Sequence, residues 1–102
     1  MHLGAVVRGR LGPGAGIDAA ELTELVSVAV RMMDDVVDLS RFALPQQAAE
    51  ARAKRRIGLG VTGLADALMM VGLRYGSEEA AGWTRDLLRR VARAAYLASA
   101  DL

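Results

Sequence analysis

From Asp18 onward the apolar positions fall at helical spacing. Leu22, Leu25, Val26, Ala29, Met32, Met33, Val36 and Val37 follow the i, i+3, i+4, i+7 rhythm of one helix face. Asp18, with Glu21 three residues later, makes a capping-box pattern, so the spacing predicts a helix from there to about Leu39. Its apolar stripe is wide and calls for a sizeable partner surface. Ahead of it, His2 to Val7 is an apolar run of strand-like length. Arg10 to Ile17 carries three glycines and a proline, which predicts a loop.

Pro45 suits the first turn of a second helix, where its missing N–H is not needed. That helix is predicted to run to about Arg56. Its only apolar residues are alanines, and its end is basic, so it should be exposed. Leu64, Ala67, Leu68 and Val71 share a face of a third helix, while Ala65, Met69 and Met70 make the other side apolar too; this helix should be largely buried. Gly72 stops it. Ser77 caps the last helix, with Glu78 and Glu79 in the first turn. Ala80, Leu87, Leu88, Val91, Ala94, Ala95 and Ala98 continue its apolar period, and Arg85, Asp86, Arg89, Arg90 and Arg93 form a wet face. The fold class is therefore all-α: a single domain, residues 1–102, of about four helices with at most a short strand near 57–62 or 2–7. Residues 57–63 stay open between strand, coil and helix.

Composition narrows the class. Hydrophobic residues make up 53% but aromatic ones only 4%, so Ala, Val, Leu and Met do the packing, and folding alone is marginal at this length. The net charge of +1, with both signs interspersed, gives no general drive toward nucleic acid or an anionic membrane. No apolar run reaches the roughly 18 residues of a membrane span, and no signal-peptide pattern opens the chain. With no cysteine there is no disulfide framework and no thiolate metal site. A cytoplasmic location is the default expectation.

Four patterns invite a chemical reading. Gly58, Gly60 and Gly63 spell G-x-G-x-x-G, but a dinucleotide loop needs a buried strand before it and a second strand carrying an acidic residue after it; Glu50 to Arg56 is Ala and charge. Asp34, Asp35 and Asp38 fit D-D-x-x-D, whose carboxylates would suit Mg²⁺, yet no second acidic cluster accompanies them. They read as the polar side of a scaffold helix. Arg52, Lys54, Arg55 and Arg56 lack flanking aromatics for base stacking and read as a solvated helix end. Ser27, Ser40, Ser77 and Ser99 have only His2 as a possible base, at a terminus expected to fray. Trp83 and Tyr96 are expected to anchor packing, and Met32, Met33, Met69 and Met70 to fill the core.

Read in order, the blocks Met33-Asp34-Asp35-Val36-Val37-Asp38, Arg41-Phe42-Ala43-Leu44-Pro45, Arg55 to Asp66, Leu73 to Ala80 and Ala98 to Leu102 carry a family resemblance. The chain resembles the catalytic chain of ribonucleotide reductase, nearest the adenosylcobalamin-dependent class, over nearly its whole length; Arg8 to Gly16 matches least. The resemblance implies a C-terminal segment of the reductase barrel, in which 57–63 is a buried strand leading into a helix. It also implies ribonucleotide reduction with adenosylcobalamin as radical source. In that family a cysteine thiyl radical abstracts a ribose hydrogen, two further cysteines reduce the sugar, and an Asn and a Glu assist. No position here matches any of these, so catalytic, cofactor-binding and metal-binding residues are all none. Thiol chemistry needs sulfur as thiol, and five methionines do not supply it. The chain alone is expected to be inactive, with either the remaining reductase segments or a second copy (a dimer) as partner. The rival reading is a small helical homo-oligomeric interaction module without catalysis.

Overall fold

The computed structural model describes all 102 residues. Four helices carry the fold: α1 (Ala19–Leu39), α2 (Pro45–Lys54), α3 (Leu64–Met70) and α4 (Glu78–Ala100). Each boundary has a local cause. The Asp18 carboxylate accepts the Glu21 N–H at 3.0 Å to start α1, and the Ser77 hydroxyl accepts the Ala80 N–H at 3.1 Å to start α4. Pro45 opens α2 without a side-chain cap. Arg55, in the left-handed region at φ 46°, ends it.

The predicted strand at 2–7 forms only in part. Leu3–Val6 is a 3₁₀ turn, and two-residue strands β1 (Val7–Arg8) and β2 (Gly16–Ile17) pair antiparallel, Val7 opposite Ile17. Residues 57–61 belong to no helix or strand, and Gly63 is left-handed. The one ladder contact of 57–63 is a parallel bridge, His2 to Thr62. The glycine-rich loop is tied down: the Gly12 N–H donates to the Met70 carbonyl at 2.8 Å. Gly72, at φ +78°, lies so close to that loop that a Cβ would come within 3.0 Å of the Pro13 nitrogen.

The core lies between α1 and α4 and is closed by the N-terminal turn and α3. Leu3, Val6, Leu22, Val26, Val30, Ala67, Leu87, Val91 and Ala94 are its centre. Only 13 of 102 residues are buried, all of them apolar, so nothing polar stabilises the interior. The burial corrects several expectations. Val30 is buried, while Leu25, Met32 and Val36 of the predicted stripe are exposed. Ala65 and Met69 of α3 also face water, so that helix is covered on one side only. Of the methionines expected in the core, Met70 packs against it but Met32 and Met69 do not. Trp83 packs on the core; Tyr96 is 79% exposed and lies outside it.

The common reason is shape. A compact domain of this length has a radius of gyration of about 13 Å; this chain has 16.7 Å and extends 53 × 25 × 18 Å. Its accessible surface is 7186 Å², against about 5,500 Å² for a compact monomer of this mass. The apolar stripe of α1 is wider than the surface available to cover it. Leu25, Val28, Met32, Val36 and Leu39 stay uncovered, about 120° round the helix from Leu22, Val26 and Val30 at 100° per residue.

Candidate functional site

The most polar construction in the molecule joins α1 to the start of the glycine segment. Asp34 and Asp38 stand one turn apart on α1, on the side that faces the end of α2. Because Arg55 takes a left-handed backbone, α2 stops there and its side chain turns back between them. Arg55 Nε donates to Asp34 Oδ1 at 2.8 Å, and Nη1 and Nη2 donate to Asp38 Oδ1 and Oδ2 at 2.8 and 3.1 Å. Nη2 also donates to the Asp34 carbonyl at 3.0 Å. Guanidinium geometry suits this fork-to-carboxylate pairing. The hydrogen bond from Arg55 is the main cause that holds the Asp38 carboxyl below its ordinary 3.8. In return, hydrogen bonds first to Asp38 and then to Asp34 push the Arg55 guanidinium further up.

Asp34 and Asp38 lie on the polar side of the helix and hold Arg55 between them. One expectation changes in part. The basic cluster divides: Arg55 is clamped and Lys54 pairs with Glu50, while Arg52 and Arg56 remain exposed. The pairing of Asp34 and Asp38 with an arginine 17 to 21 residues away has no periodic signature, which is why sequence reasoning missed it. The one available signal was an unpaired acidic turn followed by an unpaired basic one.

The glycine run does not build a phosphate cradle. Gly58 and Gly60 have open space around them and neither has a positive φ. Only Gly63 needs to be glycine: it sits at φ +75° as the N-cap of α3, and a Cβ there would overlap the His2 ring. α3 itself has only seven residues. His2 is not frayed. Its Nδ1 accepts the Gly4 N–H at 3.1 Å, which leaves the proton on Nε2, 3.3 Å from Asp66 Oδ2. No serine hydroxyl bonds to it. Ser40 and Ser77 instead donate to the backbone carbonyls of Val36 and Arg74.

Beside the clamp runs an apolar groove of about 330 Å³, lined by Val30, Val91, Ile57, Leu59, Leu88 and Tyr96 among others, with Ser99 as its one residue that is not hydrophobic. No convergent set of acids, bases or nucleophiles lines it. No helix is long and apolar enough to cross a membrane.

The sequence model of the family described as "Ribonucleotide reductase, barrel domain" matches residues 2–102. The chain is 44% identical over 101 residues to a vitamin B12-dependent ribonucleoside-diphosphate reductase of Mycobacterium tuberculosis (strain CDC 1551 / Oshkosh), covering 99% of this chain and 15% of the relative. A vitamin B12-dependent ribonucleoside-diphosphate reductase of Thermoplasma acidophilum is 43% identical over 66% of this chain and 9% of its own length. The ribonucleoside-diphosphate reductase subunit alpha of Chlamydia trachomatis is 47% identical over 66% of this chain and 6% of its own length. The chain thus spans a small part of the curated relatives it matches. No solved structure matches it significantly. An elongated helical layer with uncovered apolar faces, matched from residue 2 to residue 102, belongs to the ribonucleotide reductase barrel-domain family.

Proposed function

We propose that this chain is framework: a segment of an adenosylcobalamin-dependent ribonucleotide reductase that supports the barrel and does not by itself convert ribonucleotides to deoxyribonucleotides. The observation that carries this reading is the pairing of a match along the whole chain with a complete lack of thiols. Sulfur-centred hydrogen abstraction and dithiol reduction need groups the chain does not have. The shape supports the same reading. A layer with apolar residues on two sides, the α1 stripe and the groove at Ile57 and Leu88, suits a position between other parts of a larger protein. So does the irregular segment 57–61, none of whose N–H groups donates a hydrogen bond within the chain.

The residues present do not fit the cofactor. The surface grooves hold about 240 to 440 Å³ each, at the lower end for drug-sized ligands and too small for a corrinoid with its nucleotide tail. Adenosylcobalamin in this proposal belongs to other parts of the catalytic chain. A cytoplasmic location, where deoxyribonucleotide synthesis would be needed, goes with the same reading.

The test is direct. The purified chain is incubated with adenosylcobalamin, a dithiol and ribonucleoside diphosphates, and no deoxy product should form. Thiol-dependent turnover by this polypeptide would refute the proposal. A second reading, a homo-oligomeric helical module, is favoured by the excess exposed surface of about 1,600 Å², as much as a standard interface buries in total from both partners. A monomeric mass in sedimentation at tens of micromolar would remove it.

A further inference from the structure

We infer that Arg55 is a conformational latch: its side chain, gripped by Asp34 and Asp38, fixes the direction in which residues 57–61 leave α2 and holds this irregular segment against α4. The two ends of this segment are secured very differently from its middle. At the far end the Thr62 N–H donates to the Met1 carbonyl and the Leu3 N–H to the Thr62 carbonyl, both at 2.8 Å. At the near end stands Arg55, with four hydrogen bonds to α1. Between them, the segment's backbone accepts only one long bond, from the Met1 amine to the Gly60 carbonyl at 3.4 Å. Gly58 and Gly60 touch nothing with a would-be Cβ and add no side-chain anchor. Ile57 and Leu59 line the groove against Leu88 and Val91, yet Ile57 stays exposed and Leu59 only half-buried.

A chain with two glycines in five residues has large conformational freedom. Leu59 and Val61 pack against the core, and the rest of the course depends on how its ends are directed. Arg55 is the one non-glycine residue with positive φ. Glycine would take that backbone without strain, so what distinguishes arginine there is its fork, which satisfies two carboxylates and a carbonyl together.

Backbone ¹⁵N relaxation on the 102-residue chain tests this. In the unsubstituted protein Gly58, Leu59 and Gly60 should have order parameters near the rigid value of about 0.85; with D34N/D38N they should fall below about 0.6, while Thr62 and Leu87 keep theirs. R55G separates the backbone from the side chain. It accommodates the left-handed turn but removes the grip, so it should loosen the segment as D34N/D38N does. R55K keeps the charge without the fork and should give an intermediate loss. An ordered segment in R55G or D34N/D38N would overturn the inference. So would a segment already mobile in the unsubstituted chain, or loosening that spreads equally through α4.

Discussion

Two valines on α1, two positions apart, report which apolar surface this chain covers for itself. Val26 is 0% exposed in the α1–α4 core and Val28 is 59% exposed on the outer stripe. Truncating either to alanine removes about two methyl-sized groups. At Val26 the lost transfer energy is about 1.6 kcal/mol. A partly collapsed cavity of roughly 50 Å³ adds about 1 kcal/mol, and the better helix propensity of alanine returns about 0.5 kcal/mol. The net cost is about 2 kcal/mol, or roughly 30-fold in the folding equilibrium. At Val28 less than half of the transfer term applies, about 0.6 kcal/mol, and the propensity gain nearly cancels it. Urea denaturation followed by helical circular dichroism separates these values. With a slope of about 1 to 1.5 kcal/mol per molar, V26A should lower the midpoint by about 1.5 M and V28A by less than about 0.3 M. Equal shifts would refute the assignment of Val28 to the surface. If the V28A shift appeared only at high protein concentration, a second copy would be covering the stripe.

Gly63→Ala should destabilise by about 1–3 kcal/mol, since alanine disfavours φ +75° and its Cβ would displace the His2 ring from Asp66; thermal unfolding reads the loss, and an unchanged midpoint would mean the N-terminus is not seated there. Ser77→Ala removes the hydroxyl that caps α4 and should cost about 1 kcal/mol, visible as a lower urea midpoint with unchanged slope. The clamp also makes a pH prediction. Arg55 depresses the Asp38 carboxyl below its ordinary 3.8 in the folded state. That contribution is therefore complete above the unfolded value and is lost as pH falls through the folded one. Stability measured between pH 5 and pH 2 should fall less steeply in D38N than in the unsubstituted chain; parallel curves would show that the pair contributes nothing to acid sensitivity.

Much of the local structure was legible before any coordinates. Asp18, Pro45, Gly72 and Ser77 punctuate the chain for reasons contained in their own side chains or lack of them, so these helix starts and stops followed from the residues. The family resemblance was likewise carried by ordered blocks of residues. What the periodicity of α1 could not tell was which part of a wide apolar stripe would be covered. Leu22, Val26 and Val30 are buried, while Val28, Met32 and Leu39 stay mostly exposed, and hydrophobicity alone ranks the two groups alike.

The clamp was hidden for a different reason. Asp34 and Asp38 share a helix face by spacing, but their arginine comes from another element, through a left-handed turn that no pattern announces. His2 was misjudged because a terminal position says nothing about a glycine at position 63 leaving room for its ring. Local interactions act over a turn or a cap and are written in neighbouring residues. Burial, and charge pairing across 17 to 64 positions of chain, depend on which elements come to lie side by side, and that was decided by the tertiary fold.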